Sequence, residues 1–240
     1  CKEDPLGTGK DPGPGGEGGE KGDIVFGHYA SMTGEIAHYG QDTDKAIRLA
    51  IDEVNEAGGV LGRQIKVVTL DTRGDSAEAT NAVTRLIDVE KAVALLGEVA
   101  SSLSLAGGRV AQKKKVPMIT PASTNPDVTK VGDYIFRVCF IDPFQGKVMA
   151  KFARENLKLD KVAIIKDVKN DYSIGLAAAF KSAFEAAGGT LVEEQSYSQG
   201  DTDFSLAAEL TPVVIGDGLQ GSLPAGAVDM TLFWRLPNFQ

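Results

Sequence analysis

From Asp23 onward, short apolar runs alternate with amphipathic stretches, and this rhythm leaves few architectures open. Residues 24–29, 65–70, 92–96 and 116–120 read as strands, each apolar and bounded by turn residues. Residues 41–57 read as a helix whose buried face is Ala46, Leu49, Ala50 and Val54, and Gly58-Gly59 supplies its stop. Asp75 is placed to cap the next helix, with Glu78 three residues on, and Ala79, Ala82, Val83 and Leu86 form its inward face. A third helix is expected over about 102–113. Strands and helices in strict alternation imply a parallel, doubly wound sheet with helices on both faces. Residues 127–142 break the rhythm with an extended piece, Tyr134 to Phe140, and read as a crossing to a second lobe. Alternation then resumes: a helix at 143–156 opened by Asp142-Pro143, a strand at 162–165, a helix at 172–187 stopped by Gly188-Gly189, and a strand at 190–194.

In open parallel sheets, ligands sit outside the carboxyl ends of the strands. Here those ends carry small and hydroxyl-bearing residues: Ala30-Ser31-Met32-Thr33, Glu98-Val99-Ala100-Ser101-Ser102, Pro121-Ala122-Ser123-Thr124-Asn125-Pro126, and Asn170-Asp171-Tyr172 across the crossing. Ser101 falls where a helix begins, so its hydroxyl and the neighbouring amides suit a carboxylate. Ala122 offers backbone groups, and the Thr124 hydroxyl can donate or accept. Tyr39 and Tyr172 offer apolar faces with one polar tip. On residue type alone, Ser101 and Thr124 fit helix and turn caps equally well.

Composition removes several classes of function. With 25 Lys and Arg against 33 Asp and Glu, the net charge is −8, which argues against nucleic acid and anionic membrane surfaces as partners. No stretch is long and apolar enough to span a bilayer. His28 and His38 are the only histidines, and there is no C-x-x-C, P-loop or G-x-S-x-G, so metal, nucleophilic and cofactor chemistry lack parts. No enzyme activity, cofactor or metal site is therefore expected. Asp71, Arg73 and Asp75 lack calcium-loop spacing. His28 reads as a packed or hydrogen-bonded strand residue, Lys113-Lys114-Lys115 as a solvated helix end, and Cys139 as a small apolar filler.

Residues 1–22 are rich in Gly and Pro and almost devoid of apolar side chains, so they read as a flexible tether. Within it, Gly13-Pro14-Gly15-Gly16-Glu17-Gly18 satisfies G-x-G-x-x-G, but neither strand nor helix flanks it to hold a dinucleotide. Cys1 at the head of such a tether looks like a lipidated cysteine left after removal of a signal peptide. That reading places the chain in the periplasm or at the cell surface, held to the membrane only through lipid.

Four fragments, in order across residues 23–206, resemble the branched-chain amino-acid (Leu/Ile/Val-type) solute-binding proteins of ABC transporters. They are Asn55-Glu56-Ala57-Gly58-Gly59-Val60-Leu61-Gly62-Arg63, the run from Val116 to Pro126, Asp142-Pro143-Phe144-Gln145-Gly146, and Gly200-Asp201-Thr202-Asp203-Phe204-Ser205. The resemblance implies a type I periplasmic-binding-protein fold: two α/β lobes, here 23–141 and 142–240, joined by a hinge. It also implies a monomeric receptor that closes on a small amino acid or related amide and delivers it to an ABC permease. Ser101, Ala122 and Thr124 match the residues that hold the ligand's carboxylate and amino end. Ser123 lies between the latter two at the pocket. Tyr39 matches an aromatic beside the ligand side chain, with His38 an alternative for that wall, and Tyr172 resembles the capping aromatic of the second lobe.

After about Leu210 the resemblance stops, and no βα rhythm is evident up to Gln240. The second lobe is accordingly expected to be incomplete, through truncation or frameshift, or closed by a divergent end. A ligand-sensing protein of the same fold and a truncated product that binds nothing are the alternatives. Ligand identity, including urea, short amides and aromatic acids, stays open.

Overall fold

The computed structural model describes residues 22–201 and the short strands at 213–215 and 228–229. Cys1, all but the last residue of the tether expected at 1–22, with its glycine motif, and most of the segment beyond 201 lie outside the described residues.

The first sheet contains β1 (Ile24–Ala30), β2 (Ile65–Asp71), β3 (Ala94–Leu96), β4 (Met118–Thr120) and β5 (Ile135–Arg137), in the order β2-β1-β3-β4-β5. All pairings are parallel, and one register row runs Thr69, His28, Leu96, Ile119, Phe136 across the sheet. The core lies on the opposite face, where Tyr29, Leu95, Met118 and Ile135 meet α2 (Ser76–Asp88) and α3 (Ser101–Lys114). The expectation for α2 holds: the Asp75 carboxylate accepts from the Ala77 and Glu78 amides, and Ala79, Ala82, Val83 and Leu86 are buried. Gly58 and Gly59 end α1 with positive φ, a conformation glycine adopts without a Cβ penalty.

The inward face of α1 (Ala37–Glu56) differs from the sequence expectation. Leu49 is 63% exposed and Val54 37% exposed, while Gly40 and Asp44 are buried. Polar anchors set the helix rotation in place of the apolar stripe. The Asp44 carboxylate accepts from Thr69 Oγ1 at 2.7 Å and from Arg48 Nε at 2.7 Å, and lies 3.1 Å from His28 Nδ1. Burial raises the Asp44 carboxyl, but the hydrogen bonds from Arg48, Thr69 and His28 outweigh it and hold the pKa at about 2. Burial lowers the pKa of His28. At the other end of α1, the Asn55 side chain pairs with both backbone groups of Ile65.

Residues 127–142 are less of a crossing than the sequence suggests. The short helix α4 (Asp127–Lys130) and β5 belong to the first sheet's layer, because β5 pairs with β4. The chain then enters α5 (Asp142–Lys151), which continues into one wide turn closed by the Leu157 amide on the Phe152 carbonyl. The second sheet has β6 (Lys161–Asp167), β7 (Thr190–Tyr197), β8 (Val213–Ile215) and β9 (Val228–Asp229), all parallel in the order β7-β6-β8-β9. Strands β8 and β9 fall where no rhythm was evident in the sequence, although Val213-Val214-Ile215 is a short β-branched run. Helices α5 and α6 (Asp171–Ala186) pack together over Met149, Leu176, Phe180 and Phe184.

Gly146 is where α5 touches the α6 backbone: a Cβ there would lie 2.6 Å from the Ala179 carbonyl carbon and 2.7 Å from the Phe180 nitrogen. Gly146→Ala should therefore destabilise the protein by about 1–3 kcal/mol. Gly108→Ala in α3, whose nearest neighbour would be at 3.7 Å, should gain up to about 1 kcal/mol from helix propensity. Thermal unfolding followed by circular dichroism checks the pair, and a Gly146→Ala variant as stable as the parent would contradict this packing.

Candidate ligand-binding site

Glu98 lies two residues beyond the end of the central strand β3 and is fully buried. Its Oε1 accepts from Ser31 Oγ at 2.7 Å, beyond β1, and from Thr72 Oγ1 at 2.5 Å, beyond β2. Its Oε2 accepts from the Val99 amide at 2.9 Å. The Glu98 backbone carbonyl accepts from Thr120 Oγ1 at 2.6 Å, Ser104 Oγ at 3.0 Å and Ser123 Oγ at 3.2 Å. One residue thus ties together the carboxyl ends of four neighbouring strands.

On this platform sit the two segments singled out in the sequence. Ser101 is the first residue of α3 and is buried, with its hydroxyl accepting from the Asn125 amide at 3.2 Å. Thr120 Oγ1 accepts from the Ser123 amide at 3.1 Å, which curls the loop after β4. Ala122 is exposed at the crest of that loop, whereas Ser123 points beneath it and bonds to Ser104 Oγ at 2.7 Å. Thr124 is buried beside the start of α5, and its carbonyl accepts from the Asp142 amide at 3.0 Å. Arg137 on β5 braces the loop from below, donating to the carbonyls of Ser123 and Asn125 at 2.8 Å and of Pro126 at 3.2 Å.

The second sheet meets this loop through the start of α6. The Asp171 amide donates to Ser102 Oγ at 2.9 Å, and Asn125 Nδ2 donates to the Asp171 carbonyl at 2.7 Å. Asn170 caps α6 by accepting from the Tyr172 and Ser173 amides. Gln199 Nε2 also donates to Glu35 Oε2 at 2.6 Å, across the same division. The amino termini of α3, α5 and α6 therefore converge on residues 101–102 and 124–125, and helix amino termini favour anionic groups.

The two aromatics stand at different depths. Tyr39 lies in the first turn of α1, half exposed, with its ring 4.0 Å from that of His38. The neighbouring Gly40 presses on the Ser31 carbonyl, which a Cβ would approach to 2.2 Å, so this turn borders the end of β1. The Tyr172 hydroxyl accepts from Gln145 Nε2 at 3.0 Å, and its ring packs on the second core. Asp71 braces the loop after β1 through Met32, Thr33 and Arg73; burial raises its pKa, but those bonds outweigh it and lower the value. No cluster of three metal-ligating side chains occurs among the described residues. Lys114, expected to be solvated, bonds to Asp88 at 2.7 Å.

Sequence reasoning missed Glu98, Asn125, Arg137 and Asp142 as parts of this site. Glu98 had a legible signal, a carboxylate just beyond an apolar run, level with strand ends that carry the hydroxyls of Ser31, Thr72 and Thr120. Asp142 is fully buried. Burial raises its pKa to about 6, against the pull of Thr124 and Arg137.

A sequence model of the periplasmic binding protein family matches residues 23–209. The Leu/Ile/Val-binding protein BraC3 of Rhizobium johnstonii is 35% identical over 184 residues, covering 76% of this chain and 50% of that protein. The crystal structure of a leucine-binding protein from Thermotoga maritima superposes with a TM-score of 0.75 at 41% identity, over 80% of this chain and 56% of that one. A branched-chain amino acid transporter substrate-binding protein from Streptococcus pneumoniae, solved with isoleucine, gives a TM-score of 0.74 at 34% identity, over 81% and 57%. The chain spans about half the length of the curated relatives it matches.

Two outcomes test the site. Glu98→Gln must turn its amide either on two hydroxyls or on a backbone amide, and should cost about 1–3 kcal/mol in urea unfolding; an unchanged midpoint would contradict the platform. Asp142 carries a folded pKa of about 6, above its ordinary 3.8, so the folded chain binds this proton more tightly. Its stabilising contribution is full below the ordinary value and is lost as pH rises through about 6. Asp142→Asn should therefore gain stability relative to the parent between about pH 4 and about pH 7, and a constant difference across that range would contradict the assignment.

Proposed function

The chain belongs to the periplasmic binding protein family, and from that premise we propose that it is an extracytoplasmic receptor for a small aliphatic amino acid, branched-chain above all, serving an ABC importer. One observation carries the reading. The amino terminus of α3 and the loop after β4 are held side by side by Glu98, and both meet the start of α6 through Asp171. A ligand gripped by the first segments is then within reach of the second sheet's layer.

The helix amino terminus at Ser101 and Ser102 suits the ligand carboxylate, and the Ala122 backbone with the Thr124 hydroxyl suits its amino end. Tyr39 from α1 and Tyr172 from α6 are the aromatic walls on this reading. The mechanism is closure about the crossing at 138–142: a ligand that touches both layers stabilises the closed arrangement by its differential affinity for it. On this reading binding is the whole task, as the names of the relatives, all binding proteins, support. The relatives named for leucine, isoleucine and valine support the ligand class.

A thermal-shift screen of the purified chain against the aliphatic amino acids tests the proposal. A ligand at a hundredfold excess over its Kd should add about 2.7 kcal/mol of stability, moving the midpoint by several degrees. Leucine, isoleucine or valine should give the largest shifts, and Ser101→Ala should weaken binding roughly tenfold. A cooperative transition that no aliphatic amino acid moves would contradict the reading.

A further inference from the structure

Three oxygens at the junction of the two layers are short of hydrogens. Thr124 Oγ1 and both carboxylate oxygens of Asp142 are buried, and no donor among the described residues meets any of them with regular hydrogen-bond geometry. The two residues are nonetheless held together: the Asp142 amide donates to the Thr124 carbonyl at 3.0 Å, which keeps the Thr124 hydroxyl near enough to the Asp142 carboxyl to favour its ionised form. Gly175 of α6 closes another side, since a Cβ there would lie 2.7 Å from Asp142 Oδ2. Arg137 spends its guanidinium on the carbonyls of Ser123, Asn125 and Pro126 and on the Thr129 hydroxyl, and acts on Asp142 through space.

Hydrogen accounting sets the direction of the contact. An ionised carboxylate only accepts, so the hydrogen shared among these oxygens is that of the Thr124 hydroxyl. With that hydrogen directed at Asp142, Thr124 Oγ1 has only lone pairs left to offer. A ligand group that meets it must then donate, as an ammonium does and a carboxylate does not.

We infer that Asp142 is a specificity-determining positioning residue: it takes the Thr124 hydroxyl hydrogen and so fixes Thr124 as an acceptor for a ligand ammonium. The inference rests on the receptor reading above, with Thr124 at the amino end of the ligand. Asp142 itself does not touch the ligand. Protonation reverses the arrangement, because a neutral Asp142 donates to Thr124 and frees the hydroxyl hydrogen to turn toward the ligand, where it opposes an ammonium. The other charged or titratable groups on the packed elements are Arg137 on β5, Cys139 in the crossing, Lys147 and Lys151 further along α5, and Asp171, Tyr172, Lys181 and Glu185 on α6. Burial pushes the Cys139 thiol up, so it stays neutral in the range concerned.

Calorimetry on the full chain tests this with two probes, L-leucine and 4-methylpentanoate, its counterpart without the ammonium. The Kd for leucine should rise roughly tenfold from about pH 7.5 to about pH 5, since binding favours the ionised Asp142. Asp142→Asn, which can present an amide N–H to Thr124, should abolish that pH dependence. At about pH 7.5 it should also lower the preference for leucine over 4-methylpentanoate roughly tenfold. Thr124→Val should flatten the profile in the same way, and the parent's own titration decides the matter if a variant does not fold. Leucine binding with a flat pH profile in the parent, or an unchanged profile in Asp142→Asn, overturns the inference and leaves the receptor reading standing. No leucine binding by the parent at either pH overturns both.

Discussion

The structure depends on one buried carboxylate. Glu98 buries its carboxyl group with no exposure to water, which is tolerable because both oxygens are met by donors. Those donors come from the ends of β1, β2 and β3, and the residue's own carbonyl collects hydroxyls from β4, α3 and the loop after β4. Removing any strand end would leave another polar group buried and unpaired. The strand ends therefore form a fixed platform, and on the proposed reading a ligand settling on it has little loop ordering left to supply.

From that platform the two layers are joined by few but specific contacts. Ser102 and Asn125 both address the backbone of Asp171, at the first turn of α6, and Asn170 keeps that turn capped. Arg137 holds the β4 loop from the other side through the backbone carbonyls of Ser123, Asn125 and Pro126. A closing motion can make and break the contacts between the layers without repacking either core, the two cores being centred on Tyr29 and Leu95 in one layer and on Phe180 and Phe184 in the other.

Much of this was legible in the sequence, for identifiable reasons. The rhythm of strands and helices, the Asp75 cap and the inward face of α2 follow local rules, and each is found as expected. The face of α1 was misjudged because its apolar positions, Ala46, Leu49, Ala50 and Val54, share a helical stripe that polar anchoring overrides. Asp44 and Asn55 find partners 10 to 25 residues away in sequence, and no periodicity reports that. Ser101, Ala122 and Thr124 were singled out from strand-end chemistry and family resemblance, and the fold gathers them at one place. What binds them together was invisible for the same reason as the α1 anchors: the Glu98 bond to Ser31 spans 67 residues, and Asp142 matters only once α5 brings it beside Thr124.

The central claim is that ligand binding engages the Glu98 platform and the start of α6 at once. Amide hydrogen exchange on the full chain, with and without saturating L-leucine, tests it most directly. The account predicts slower exchange in the presence of leucine at residues 99–104, 122–126 and 171–174 together. Protection confined to the first-sheet segments, or absent from all three, would contradict closure around this site.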